Sequence, residues 1–260
     1  MNHYEDYGFT NAKQLDKIKL DTEAFKEFNF IKALTIEDHI GISNEGIEKL
    51  YNLKLLEYFA FENQSIKPDL SNFPNIETLV FKYNDGIRNL NCLKKLKDLF
   101  VFLLKTNDCS FLSGLSNLNI LRFSGGSFSN LNGIEHSKSI KRLDISYNST
   151  VEDISVINNF SVLEKLNIEK CKKLKDYSFL SENKSIKELF IDSLNSLAFI
   201  PSMKKLEKIN FWDCKDGNMN YLLKSESLKN INYYPNKKHY THKLEEIKNI
   251  KNNGVQANGV

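Results

Sequence analysis

Apolar and polar positions alternate in one short figure that returns ten times along the chain. It reads IKALTIEDH (31–39), LEYFAFENQ (56–64), IETLVFKYN (76–84), LKDLFVFLL (96–104) and LNILRFSGG (118–126) in the first half. It continues as IKRLDISYN (140–148), LEKLNIEKC (163–171), IKELFIDSL (186–194), LEKINFWDC (206–214) and LKNINYYPN (228–236). The shared form is L-x-x-L-x-L-x-x-N, with Ile, Phe or Val admitted at the Leu positions. Its third apolar position falls at 36, 61, 81, 101, 123, 145, 168, 191, 211 and 233, so the spacings are 25, 20, 20, 22, 22, 23, 23, 20 and 22. Many units carry a further apolar residue three places ahead of the first Leu, as at Phe73, Leu93, Leu115, Phe160 and Met203. A fixed period of this length is the mark of a repeat architecture. The x-L-x-L-x centre of each unit predicts a short strand whose side chains alternate between two faces. One unit cannot bury its apolar side alone, so stability must be shared between stacked neighbours.

This figure and its period of about 22 residues resemble the leucine-rich repeat, in the short bacterial class seen in internalins. The resemblance covers residues 31–236. It implies an α/β fold: a right-handed leucine-rich-repeat solenoid with a curved, parallel concave β-sheet and loops or short helical turns on the convex side. The departure is at the asparagine position, which reads His39, Gln64, Asn84, Leu104, Gly126, Asn148, Cys171, Leu194, Cys214 and Asn236. In such repeats Asn or Cys there bonds the backbone of the turn. Leu104, Gly126 and Leu194 have no side chain that can, so a less regular turn is expected at those units.

The ends must differ from the middle, because terminal coils have only one neighbour. Residues 1–30 are expected to form an N-terminal cap, with Asp21 or Thr22 capping a short helix and Phe25 and Phe28 closing the first coil. Residues 237–260 are expected to form a C-terminal cap helix and a flexible tail. HKLEEIKNIKNN (242–253) places Leu244, Ile247 and Ile250 on one helical side, and NNGVQANGV (252–260) shows no periodic pattern.

The register assigns the remaining strand positions to the concave face. Residues 99–104 are six consecutive large apolar side chains. In register, Leu99 and Val101 point into the core, whereas Phe100 and Phe102 project onto the concave sheet. Two apolar clusters are expected there. One joins Val80, Tyr83, Phe100, Phe102 and Leu103, with Tyr58 in the neighbouring column; the other joins Phe190, Trp212 and Tyr234. Between them lies a polar belt of Arg122, Arg142, Asp144, Tyr147, Lys165, Asn167 and Glu169. Aromatic anchors with Arg and a polar surround have the make-up of a protein-binding hot spot, and contiguous exposed apolar patches mark interaction sites.

Charge removes one class of function. A formal net charge of +3 with basic and acidic residues scattered gives none of the basic stripe a nucleic-acid binder shows. The longest apolar run is six residues, too short to span a membrane, and the first residues, MNHYEDYGFTNAKQLDK, contain no apolar signal segment. A cytoplasmic protein is therefore expected, with Cys92, Cys109, Cys171 and Cys214 as free thiols. In that compartment the glycosylation sequons at Asn63, Asn148, Asn159 and Asn183 carry no meaning.

Candidate chemistry is sparse. HYTH (239–242) with Glu245 and Glu246 is the best metal candidate, but it lacks the HExxH spacing and reads as a polar turn. CKD (214–216) resembles the Cys-x-Asp of bacterial ubiquitin ligases that carry leucine-rich repeats. Those enzymes place it in a separate helical domain, whereas Cys214 falls on the repeat phase here. SGGS (124–127) has no phosphate-loop context. The chain is thus expected to be non-enzymatic, with no cofactor, no metal, and no nucleic-acid or membrane partner. Its expected role is to bind a protein on the concave face, most specifically as an immunity protein neutralising a toxin. The alternatives are an effector or adhesin binding a host protein, or a self-associating scaffold, with a homodimer the less favoured arrangement.

Overall fold

A computed structural model describes residues 18–19, 25, 27, 29–135 and 137–257. Ten strands form one parallel sheet: β2 (Ala33–Ile36), β4 (Tyr58–Phe61), β5 (Thr78–Lys82), β6 (Asp98–Leu104), β7 (Ile120–Gly126), β8 (Arg142–Ser146), β9 (Lys165–Glu169), β10 (Glu188–Leu194), β11 (Lys208–Cys214) and β12 (Asn230–Tyr233). Their order in the sheet follows the chain without a crossover. A second pair of strands, β1 (Ile18–Lys19) and β3 (Ile40–Gly41), lies outside this sheet. The helices are α1 (Asn44–Leu50), α2 (Asn220–Leu223) and α3 (Leu244–Ala257). Elsewhere the chain returns through loops and short 3₁₀ turns such as Leu70–Asn72, Leu90–Cys92 and Ser178–Glu182.

Each strand pairs with the next at the same place in the repeat. Leu99 faces Leu121 and Val101 faces Phe123, and Leu143 and Ile145 then face Leu166 and Ile168. The repeat's Leu positions therefore stack in columns inside the solenoid. From Leu56 onward, the first, second and third apolar positions are all buried. Large rings take the third column at both ends: Phe61 stacks on Phe81 with centroids 5.7 Å apart, and Phe211 stacks on Tyr233 at 4.9 Å. Burying a side chain of this size contributes about 1.5–3 kcal/mol. At the extra apolar position three repeats hold a buried polar residue instead, Ser137, Asn183 and Ser225. Asn183 replaces lost packing with bonds: its carbonyl oxygen accepts from the Ser185 and Ile186 amides at 3.0 and 2.9 Å.

The asparagine position behaves in two ways. Where the residue is Asn, its side chain closes the turn, as when Asn84 donates to the Ile66 carbonyl and accepts from the Gly86 amide. Asn148 accepts from the Thr150 and Val151 amides. In the second repeat the register expectation needs correcting. Asn63, not Gln64, does this work, donating to the Asp38 and Ile40 carbonyls and accepting from the Ser65 amide; Gln64 is exposed. Where Asn is replaced by Leu104, Gly126 or Leu194, the turn does not simply loosen. β6, β7 and β10 run on to that residue, and Leu104 pairs with Gly126 while Leu194 pairs with Cys214. At these units the backbone bonds onward instead, the Leu104 carbonyl accepting from the Ser127 amide and the Leu194 carbonyl from the Lys215 amide. Gly126 is required there: its φ is +111°, and an added Cβ would collide with the Leu104 carbonyl.

Ahead of each strand, charge runs along the edge of the stack. Lys32 pairs with Glu57, Lys97 with Glu77, Lys187 with Glu164 and Lys229 with Glu207. From Lys141 onward the position alternates strictly: Lys141, Glu164, Lys187, Glu207, Lys229.

At the first coil, Ser43 caps α1 by accepting from the Gly46 amide at 3.1 Å, and Phe25 is buried in the core. Asp21, Thr22 and Phe28 lie outside the described residues. At the last coil Ile247 of α3 is fully buried and Leu244 packs beside it, but Ile250 is exposed. Lys251 takes over the sealing role by donating to the Ser225 and Leu228 carbonyls at 2.6 and 3.1 Å. α3 continues to Ala257, into the stretch whose pattern gave no sign of a helix.

The Asn63 assignment sets a test. Asn63→Ala should lower the unfolding free energy by about 1–3 kcal/mol, because it strands buried turn groups. Gln64→Ala should leave it within about 0.5 kcal/mol. Urea denaturation of the two variants separates them.

Candidate functional site

The strand positions that point away from the core form the concave face, and the structure divides them by exposure. Ala60, Val80 and Phe102 make a small buried cluster of their own, separate from the solenoid core, with Tyr58 and Phe100 packed against it. Val80 is 1% and Phe102 8% exposed, so neither presents the open apolar surface expected of them. Ala60 and Val80 are small residues set among large rings. The Phe100 and Phe102 rings tilt together with centroids 4.1 Å apart. Tyr83 does not join this cluster. It packs on the main core and meets Phe111 edge to face at 5.7 Å.

The polar belt is a set of fixed ion pairs. Arg122 is buried and donates from Nη2 to both carboxylate oxygens of Asp98, at 2.8 and 2.9 Å. Its guanidinium lies over the Phe100 ring, 4.9 Å from the centroid. Arg122 is therefore tied to the first cluster rather than offered from the belt. One strand on, Arg142 binds the Asp144 carboxylate through Nε at 3.1 and 2.9 Å, and Asn167 donates to the same group at 2.6 Å. Lys165 and Lys208 flank Glu188, each at 3.5 Å. The Tyr147 hydroxyl donates to Glu169 at 3.4 Å.

The second cluster is open. Phe190 meets Trp212 edge to face at 5.3 Å, and the Lys170 ammonium sits 5.3 Å from the Trp212 centroid. Trp212 is 43% and Tyr234 77% exposed. Leu103 and Tyr147 are also exposed. These four occupy the third outward column or the position just after it, where the strands leave the sheet. Three residues of this rim, Leu103, Tyr147 and Lys170, have left-handed backbones, with φ of 51°, 55° and 54°. For a residue with a Cβ that conformation costs about 1–2 kcal/mol. The neighbouring Gly125 makes room on the rim, since a Cβ there would strike the Leu103 side chain.

Sequence reasoning placed these positions on the correct face but did not find Asp98, Glu188 or Lys170. Asp98 and Glu188 are carboxylates at the first residues of β6 and β10, which the pattern alone did not single out. Lys170 gave no signal, because its place over Trp212 follows from a left-handed turn.

The chemistry candidates are absorbed by structure. The Cys214 thiol is buried and bonded to Asp216 at 3.1 Å. Burial, then the bond to Asp216, pushes it up to about 12, so it stays a protonated thiol at neutral pH. Burial likewise pushes Cys171 up to about 11. His239 donates from Nε2 to the Cys214 carbonyl, and His242 bonds Thr241. Among the described residues no group of three or more His, Cys, Asp or Glu is arranged to hold a metal ion, and no helix is long and apolar enough to cross a membrane.

Thiol reactivity tests this environment. Cys92 is exposed and the other three cysteines are buried. Ellman's reagent should titrate one fast thiol in the native protein and four after unfolding. A second fast thiol would place one of the three buried cysteines in a reactive setting.

No protein-family model matches the chain, and no curated protein matches it in sequence. Solved structures do match in shape. Internalin C2 from Listeria monocytogenes is 19% identical with a TM-score of 0.54, over 67% of this chain and 76% of that one. The leucine-rich repeat domain of the type III effector XopL is 17% identical with a TM-score of 0.56, over 82% and 81%. Toll, in its complex with Spatzle from Drosophila, is 9% identical with a TM-score of 0.65, over 83% of this chain and 34% of that one. With its ten parallel strands and inward Leu columns, the chain is an α/β leucine-rich-repeat solenoid of short repeats.

Proposed function

We propose that this chain is a protein-recognition module that holds a folded partner along the strand-exit rim of its concave face. One observation carries the reading: Leu103, Tyr147, Trp212 and Tyr234, four large side chains exposed to solvent, stand along that rim. Aromatic anchors of this kind supply most of the energy at protein interfaces. The belt of Arg142, Asp144, Lys165 and Glu169 beside them is held by internal ion pairs and hydrogen bonds, which lowers the entropy lost when a partner orders it. Tyr58, Val80, Phe100 and Phe102 pack together beside it with Arg122 over Phe100, and Phe190 braces Trp212. The left-handed residues point the same way, since strain of this sort concentrates at functional positions.

Within this reading the chain acts by occupying its partner. The most specific role is that of a cytoplasmic immunity protein blocking a toxin. Internalin C2 and XopL share the fold, which keeps an effector or adhesin role as the competing reading. The partner's identity decides between them, and a symmetric dimer in light scattering would favour the scaffold.

The test is capture from the native host's lysate, followed by titration of the captured protein. Trp212→Glu should weaken binding about thirtyfold, the effect of losing one hot spot, with an unchanged circular dichroism spectrum. Tyr147→Gly should hold or raise the thermal midpoint, because it relieves left-handed strain of about 1–2 kcal/mol, and should still weaken binding. Full binding by both folded variants would move the site off this rim.

A further inference from the structure

A second feature begins at Tyr83, one coil from Leu103 at the strand exits, where two repeats of different build meet. β5 ends at Lys82 and its Asn84 closes the turn at once, whereas β6 runs on to Leu104. The two return paths separate there and leave a groove of about 250 Å³. Tyr83 and Phe111 both line it, in edge-to-face contact with each other. Polar groups surround this aromatic pair. Asn84 and Asn89 also line the groove, but their amides are committed to the Ile66 carbonyl and to Asp69. Asp85, Asn91 and Ser113 have side chains that bond nothing else among the described residues. No Lys, Arg or His lines the groove, so a phosphate or carboxylate ligand would find no counter-charge.

We propose that this groove is a binding site for a neutral saccharide, one pyranose ring lying against Tyr83 and Phe111 with its hydroxyls on Asp85, Asn91 and Ser113. The aromatic pair offers an apolar face to the ring's C–H groups. The free amide, hydroxyl and carboxylate supply both donors and acceptors to a ligand that is itself both. The groove is smaller than the usual site for a drug-sized molecule, which suits a single ring with the next sugar in solvent. The site adjoins the rim at Tyr83 but uses none of its four exposed anchors.

The experiment is a titration of the full chain with cellobiose, maltose and N,N′-diacetylchitobiose, followed by amide chemical shifts in NMR. N-acetyl-L-tyrosinamide serves as a comparison for an inserted partner side chain. Saturable shifts at residues 83–91 and 110–113 with at least one sugar, in the millimolar range, are the expected result. Asn91→Ala should weaken that binding about fivefold, the effect of one hydrogen bond. Phe111→Ala should abolish it, and Asn91→Ala keeps the test valid if the Phe111 variant unfolds. No saturation with any of the three sugars overturns the proposal. Saturation by the tyrosine amide alone overturns it too, and reassigns the groove to a partner's side chain.

Discussion

Everything in this molecule depends on the stacking of one coil's apolar columns on the next. A single unit has three or four large side chains and no partner for them within itself. Leu99 finds Leu121, Val101 finds Phe123, and the sheet's hydrogen bonds hold those pairs in register. Because the inward and outward positions alternate, fixing the core columns also fixes which side chains meet on the concave face. The recognition surface is thus a by-product of core register. A slip of one residue in any strand would bring its outward residues into the core.

The same constraint explains how much was legible beforehand. The Leu columns were readable because burial between coils demands an apolar residue at each phase, and ten repetitions outvote local exceptions. The asparagine position was less readable. Asn63 and Gln64 are neighbours in sequence, and only the turn geometry decides which side chain reaches the Asp38 and Ile40 carbonyls. The extended strands at Leu104 and Leu194 were hidden for a related reason: a missing side-chain bond has two remedies, a looser turn or a longer strand. Leu104 and Gly126, which both lack the Asn side chain, pair with each other.

On the concave face, direction was legible and exposure was not. Val80 and Trp212 both stand on outward positions, yet one is buried and the other open. What separates them is the size of their neighbours in space. Val80 lies among the Tyr58, Phe100 and Phe102 side chains, whereas Trp212 has the ring edge of Phe190 on one side and the Lys170 ammonium near its face. The belt between them is stiff for an electrostatic reason. Arg142 holds Asp144 through two nitrogens, Nε and Nη2, an arrangement the planar guanidinium favours and a lysine could not reproduce.

The charges ahead of the strands carry a different kind of information. From Lys141 to Lys229 their sign changes at every coil. Each pair is exposed and weak by itself, but the pattern has a parity. Removing one coil from this half would set Lys against Lys or Glu against Glu at the new junction, while removing two would restore opposite charges. A duplication obeys the same arithmetic. The edge of the solenoid therefore favours changes of length by even numbers of coils, a constraint on how such an array can grow or shrink that the apolar core, indifferent to which Leu meets which, does not impose.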